Sequence, residues 1–349
     1  MAGEGSGMPV TDTARLFPFH PLPCLAGRHV QTIVAAKLTL ATAPPSSTRV
    51  VQLADDDQIA LEISTPPAWR KGDRRALLLH GLCGCHDSPY MVRCARQLWR
   101  HGIQAVRMNM RGCGSGAGLA RQPYHSGRSA DVLAVLQALQ QDVPPSPVAL
   151  VGYSLGGNIV LKFAGELQEQ AARYCTQVIA VCPSADLARC AQLLGQPRNR
   201  LYERHFIRLL KVAVAARHAR FADLPPVTWP KHLSLYAFDT LYTAPWGGFR
   251  DADDYYARCS AAPLVPAIRV PCHILFAADD PVIDTTVFDH VALPPNVHVI
   301  RTTHGGHMGF LGRPWRPGGY HWMDAVLLAW LGVTSPESHT VDQSFHKAL

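Results

Sequence analysis

One serine in this chain has neighbours that could make its hydroxyl reactive. Gly152-Tyr153-Ser154-Leu155-Gly156 reads G-x-S-x-G. It falls between Pro147–Gly152, an apolar run that predicts a strand, and Leu155–Gln168, whose periodicity predicts a helix. A strand that turns directly into a helix leaves no room for side chains at 152 and 156, so both are glycine. Such a turn holds the Ser154 hydroxyl clear of the sheet at a helix N-terminus, where backbone N–H groups point outward. Gly157 adds space for close helix packing.

A serine hydroxyl needs a base, and the base needs an orienting acid. In this strand–turn–helix context the order along the chain is Ser, then Asp or Glu, then His. Two stretches follow Ser154 in that order. Phe276-Ala277-Ala278-Asp279-Asp280-Pro281 places two carboxylates just past a predicted strand. Thr303-His304-Gly305-Gly306-His307-Met308 follows the last predicted strand. Asp280 is the expected acid because Pro281 fixes a turn after it and it lies further past the strand. Asp279 is expected to bond local backbone, as Asp in turns often does. His307 is the expected base because Gly305 and Gly306 let the loop fold back, whereas His304 stays nearer the strand. Two backbone donors are then required for a developing oxyanion. The N–H of Leu155, directly after the serine, is one. The N–H of Leu82, in His80-Gly81-Leu82-Cys83-Gly84, is the other, with Gly81 providing clearance.

Other motifs point to plainer roles. Arg111-Gly112-Cys113-Gly114-Ser115-Gly116 looks like a dinucleotide loop, but helical periodicity resumes only near Arg128. Pyrophosphate needs a helix N-terminus at the glycines, so this is expected to be a structural turn and no cofactor is expected. His304 and His307 lack a third partner of ligand type, so no metal is expected. The ten cysteines include no C-x-x-C pair.

The elements that must carry these residues alternate. Thr48–Leu53 and Gln58–Ser64 predict a hairpin. Ala76–His80, Gln104–Asn109, Gln177–Cys182, Cys272–Ala277 and Val297–Arg301 predict buried strands. Met91–Arg100, Arg128–Gln140 and Tyr320–Leu331 predict helices, the second with Val132, Val135, Leu136 and Leu139 on one face. The pattern is that of an α/β chain with a mostly parallel central sheet flanked by helices. Residues 183–271 break the alternation. They hold a predicted helix, Leu201–Ala216, and a Pro- and aromatic-rich stretch, and are expected to form a lid-type insertion above the sheet. Leu209, Leu210, Phe238, Tyr242, Trp246 and Phe249 in it could line an acyl site or serve as core. Residues 1–16 read as a loose arm and 334–349 as a polar tail, leaving 17–333 as one domain.

Over 349 residues, 48% are hydrophobic and 17% charged, which excludes a mostly disordered chain. Thirty-three Lys and Arg against 26 Asp and Glu give a net charge of +7. The cations are scattered, with Glu203 interrupting the run Arg198–Arg208, so no nucleic-acid partner is expected. The N-terminus has no apolar signal-peptide core and no apolar run approaches a membrane span. A cytoplasmic protein with reduced thiols and no stable membrane anchor is the expectation.

With these residues in place, the chain resembles the YheT-like branch of the α/β-hydrolase superfamily, related to the plant embryogenesis-associated hydrolases. The resemblance rests on Gln31-Thr32-Ile33, His80-Gly81-Leu82-x-Gly84, Tyr124-His125-Ser126-Gly127, Gly152–Asn158, Phe238-Asp239, Tyr255-Tyr256, Asp279-Asp280-Pro281 and His304–Phe310, and spans roughly residues 17–331. It implies an α/β-hydrolase fold, Ser154, Asp280 and His307 as a triad, and hydrolysis of carboxylic esters. The expected substrates are short- to medium-chain acyl esters or acylglycerol-like lipids, with water as the second reactant. Thioester, lactone or amide cleavage would use the same parts. A non-catalytic binding protein on this fold is the alternative of a different class.

Overall fold

The computed structural model describes residues 18–37 and 41–333. The expected arm, 1–16, and tail, 334–349, lie outside the described residues. Buried five- and six-residue runs decide the architecture. Arg75–Leu79 (β3), Gln104–Met108 (β4) and Val148–Tyr153 (β5) are buried at every position, as strands covered by helices on both faces must be. With Ser47–Gln52 (β1), Gln58–Ser64 (β2), Gln177–Val181 (β6), Cys272–Ala277 (β7) and Val297–Thr302 (β8) they form one eight-stranded sheet in the order β1-β2-β4-β3-β5-β6-β7-β8. β1, β2 and β4 pair antiparallel, and all pairings from β4 through β8 are parallel. The predicted strands all form, with ends shifted by a residue or so.

The strand order reverses at β3. From there the chain goes first to β4 on one side and then to β5 on the other. Connections leaving β3 and β5 therefore part at the carboxyl edge of the sheet, where a crevice opens. That places the loop 80–84 beside Ser154.

Arg28–Lys37 (α1), Pro89–Arg100 (α2), Ser129–Gln140 (α3), Leu155–Leu167 (α4), Leu187–Leu194 (α5), Arg200–Arg220 (α6), Ala252–Cys259 (α7) and Trp322–Trp330 (α8) are the longer helices. Three were not expected. α1, α5 and α7 have 10, 8 and 8 residues, too short for a clear apolar period. Among the described residues no helix is long and apolar enough to cross a membrane.

The sequence 111–116 is a turn, as expected. Gly112 and Gly114 take φ of 72° and 53°, and α3 starts only at Ser129. Arg111 is buried there among Asp131, Asp57 and Asp55, at 2.7, 2.7 and 2.6 Å. Residues 183–271 differ from expectation at their end. Ala261, Ala262, Val265, Ile268 and Val270 belong to the main core rather than to a body above the sheet. A Cβ on Gly165 of α4 would meet the Leu264 carbonyl at 2.5 Å, which shows how closely this stretch packs.

Buried Asn158 ties α4 to its surroundings. Its Nδ2 donates to the Ser126 and Cys259 carbonyls at 3.1 and 2.8 Å, and its Oδ1 accepts the Ala261 N–H at 2.9 Å. Truncating it strands three buried backbone groups. Asn158→Ala is expected to cost about 2–4 kcal/mol, read as a lower urea midpoint at unchanged slope.

Candidate active site

Ser154 takes φ 54° and ψ −115°, in the left-handed region that a non-glycine residue seldom enters. The neighbours explain how it can. A Cβ at Gly152 would stand 2.3 Å from the Gly156 carbonyl oxygen, and one at Gly156 would stand 2.5 Å from the His80 oxygen. The two glycines let β5, α4 and the loop after β3 meet at one point, as the G-x-S-x-G spacing predicts. Ser154 donates its N–H to the Val181 carbonyl at 2.8 Å, which pins the turn to the end of β6.

The histidine loop follows β8 and reaches the serine along the same carboxyl edge of the sheet. His307 Nε2 lies 3.0 Å from Ser154 Oγ, and His307 Nδ1 lies 2.8 Å from Asp280 Oδ2. The three side chains expected to act together are thus brought together, and His304 stays outside. The roles of the two aspartates are partly exchanged, however. Asp280 makes the local turn itself, its Oδ1 accepting the Val282 and Ile283 N–H groups at 2.7 and 2.9 Å. Asp279, expected to bond local backbone, instead accepts the Gly306 N–H at 2.9 Å across the loop, and so holds the His307 segment. The physical reason is that a carboxylate has two oxygens: one fixes the turn after β7 while the other faces the imidazole.

Cys182 Sγ, Asp280 and His307 offer ligand atoms within 4.8 Å of one another. Burial raises the Cys182 thiol pKa well above its ordinary value, aided by the Asp280 charge. Both Asp280 oxygens already accept hydrogen bonds and both His307 ring nitrogens are engaged, so these residues do not fit a metal.

The loop 80–84 shows which backbone donor it keeps free. The Gly81 N–H donates to Tyr90 Oη and the Cys83 N–H to Tyr124 Oη, each at 2.9 Å. Between them, the Leu82 N–H has no protein partner among the described residues, and neither has the Leu155 N–H. Both residues line one cavity with Ser154. Gly81 is needed for clearance, since a Cβ there would come within 3.1 Å of Ser154 Cβ. Buried His80 fixes the base of the loop. It bonds the Gly81 carbonyl through Nδ1 at 2.8 Å and accepts the Met110 N–H on Nε2 at 3.1 Å. Burial pushes its pKa down to about 4, so it is a neutral structural imidazole.

The cavity measures about 400 Å³. Leu210, Phe238 and Tyr242, three of the six residues singled out from 183–271, lie on its wall; Leu209, Trp246 and Phe249 do not. Asp239 is also on the wall. It begins a π-helical turn, Asp239–Thr243, and accepts hydrogen bonds from Thr243 Oγ1 and Tyr256 Oη at 2.6 and 2.7 Å. Burial raises its pKa to about 6 despite both donors.

Sequence reasoning missed the support from α1. Thr32 Oγ1 accepts the His307 N–H at 2.9 Å and donates to the Arg28 carbonyl at 2.7 Å. Gln31 pairs with Leu311 as a strand would, accepting its N–H at 2.7 Å and donating to its carbonyl at 3.2 Å. Gly306 has to be glycine because a Cβ would reach the Arg28 oxygen at 2.3 Å. The available signal was the Gln31-Thr32 pair, polar residues in a stretch that otherwise reads as apolar.

A family model for the alpha/beta hydrolase fold matches residues 77–314. The chain belongs to the α/β-hydrolase family. YheT of Escherichia coli (strain K12) is 33% identical over 302 residues, covering 84% of this chain and 87% of that protein, and the chain falls in the YheT-like branch. Monoacylglycerol lipase of Saccharomyces cerevisiae is 26% identical over 253 residues, 68% of this chain and 56% of the yeast protein. The crystal structure of the α/β hydrolase GrgF from Penicillium sp. sh18 shares the fold at TM-score 0.53 and 17% identity, covering 83% of this chain and 97% of that one.

Two outcomes follow from this geometry. Thr32→Val leaves the His307 N–H without an acceptor and is expected to slow labelling of Ser154 by a fluorophosphonate roughly tenfold, with Thr32→Ser restoring it. Asp239 titrates near 6 in the folded chain against an ordinary value of 3.8, so its favourable contribution is full below 3.8 and is lost as pH rises through 6. The stability of Asp239→Asn relative to the parent is therefore expected to fall by about 2 kcal/mol between pH 7.5 and pH 4.5, measured by urea unfolding.

Proposed function

We propose that this chain, a carboxylic ester hydrolase, cleaves short- to medium-chain acyl esters or acylglycerol-like esters with Ser154 as nucleophile, His307 as general base and Asp280 as the group that orients it. The observation that carries the reading is the hydrogen-bonded series Ser154–His307–Asp280 opening on a largely apolar cavity.

The chemistry follows from the contacts. Asp280 accepts the Nδ1 proton of His307, which leaves the Nε2 lone pair facing the Ser154 hydroxyl. Ser154 Oγ attacks the acyl carbonyl as its proton moves to Nε2, and the Asp280 carboxylate stabilises the imidazolium that forms. The free N–H groups of Leu82 and Leu155 receive the oxyanion. His307 then returns the proton to the departing alcohol, leaving an acyl-serine. Water, deprotonated by the same imidazole, releases the acid. α6 and the segment 235–247 act as a cap, since Leu210, Val214 and Phe238 close the cavity over Ser154. The name of the yeast relative, a monoacylglycerol lipase, favours acylglycerol-like substrates within this class.

Turnover of p-nitrophenyl esters from acetyl to palmitoyl tests the reading. Ser154→Ala is expected to abolish it, and Asp280→Asn to lower kcat by roughly 10³–10⁴. A parent protein that hydrolyses none of the series and also ignores a fluorophosphonate would falsify it.

A further inference from the structure

The cavity that holds Ser154 contains a cation with no countercharge. Arg217, on α6, donates from Nε to the Arg121 carbonyl at 2.7 Å and from one amino group to Tyr242 Oη. Its guanidinium stacks 3.9 Å over the Trp246 ring. The other amino nitrogen is buried and has no hydrogen-bond partner. Among the described residues no carboxylate forms an ion pair with Arg217. Asp57, an acid whose field reaches it, is already held by Arg111 and by the N–H groups of Arg121 and Gln122. Asp239, on the same wall, has both oxygens engaged by hydroxyls.

A buried guanidinium donor left open costs stability, and a ligand that meets it regains that cost. Its surroundings fit an oxyanion. Gln122, also on the wall, has a buried and unpartnered Oε1, and its amide turned end for end would present a donor instead. Arg220 is an exposed cation at the rim of the same cavity. Trp246 and Tyr242 hold the guanidinium plane in place, which lowers the entropy lost when a ligand is gripped.

We propose that this end of the cavity is a subsite for an anionic group on the substrate, a carboxylate or a phosphate, gripped by Arg217 with Gln122 beside it and Arg220 at the rim. The inference rests on the ester-hydrolase reading of Ser154 and narrows it: the preferred substrates are acyl esters that carry a negative charge at a distance from the scissile bond. A neutral chain would fill the apolar wall and leave the guanidinium donor unmet. An anionic one would satisfy it with a charge-assisted pair.

The test compares matched esters. One arm sets p-nitrophenyl esters of monocarboxylic acids against p-nitrophenyl half-esters of α,ω-dicarboxylic acids of equal length. The other sets monoacylglycerols against the corresponding monoacylglycerol phosphates. The anionic member of at least one arm is expected to have a kcat/KM roughly tenfold or more higher, mainly through KM, and the arm that responds identifies carboxylate or phosphate. Arg217→Gln should bring that ratio to near one, while Arg217→Lys keeps part of it. A parent that favours the neutral member in both arms overturns the proposal. So does Arg217→Gln lowering both members equally, the result expected if Arg217 only braces α6. A second readout does not need turnover. In Ser154→Ala protein, a dicarboxylic acid or monoacylglycerol phosphate should raise Tm more than its neutral counterpart, and Arg217→Gln should cancel the difference; equal shifts overturn the subsite. If neither kind of ester is hydrolysed while the anion still raises Tm through Arg217, the hydrolase reading fails and the subsite stands.

Discussion

Ser154 can hold its left-handed backbone only while Gly152 and Gly156 leave space for the carbonyls of residues 156, 79 and 80. That three-way contact of β5, α4 and the loop after β3 sets where the hydroxyl points and which N–H groups lie beside it. Everything else in the site is arranged around it. The strand reversal at β3 brings the loop 80–84 alongside, and the β6 end secures the turn through the Val181 carbonyl. Strain at one residue is thus held by contacts from three neighbouring segments, the condition under which such strain persists.

The imidazole is positioned by a second set of contacts that shares no residue with the first. Asp280 orients the ring, Asp279 grips the backbone at Gly306, and Thr32 grips it at His307. The loop carries positive φ at Gly305, Gly306, Met308 and Phe310. Such a loop needs many anchors, and α1 supplies those that the sheet cannot. The loop bearing Leu82 follows the same logic, since two tyrosine hydroxyls occupy the N–H groups on either side and leave the middle one open. Precision at Ser154 therefore depends on hydrogen bonds to backbone rather than on the side chains of Ser154, Asp280 and His307 alone.

The cavity is less uniform than an acyl tunnel would need to be. Its wall carries buried Asp239 in a π-helical turn and half-buried Arg217 stacked on Trp246, neither paired with an opposite charge. Buried charge of this kind is costly. Its presence in the cavity that holds Ser154 is what separates this site from a purely apolar pocket on the same fold.

Much of this was legible in the residues. Buried parallel strands read as unbroken apolar runs, so the sheet and most of its helices could be assigned. The Gly-x-Ser-x-Gly turn, the Asp-Asp-Pro stretch and the Gly-Gly-His loop are local, because each encodes a backbone shape that few residues can adopt. Their order along the chain, with Pro281 after Asp280 and two glycines before His307, pointed to Ser154, Asp280 and His307. What could not be read was any long-range contact that no local motif marks. Thr32 lies 275 positions from His307, and the polar Gln31-Thr32 pair in its own neighbourhood does not say which loop it supports. The exchange of duties between Asp279 and Asp280 depends on which oxygen faces which loop. The open donor on Arg217 exists only because α6 folds against the cavity and every nearby carboxylate is already engaged. Local backbone chemistry is written in short spacings; desolvation and partner choice are properties of the packed molecule, and only the tertiary structure decides them.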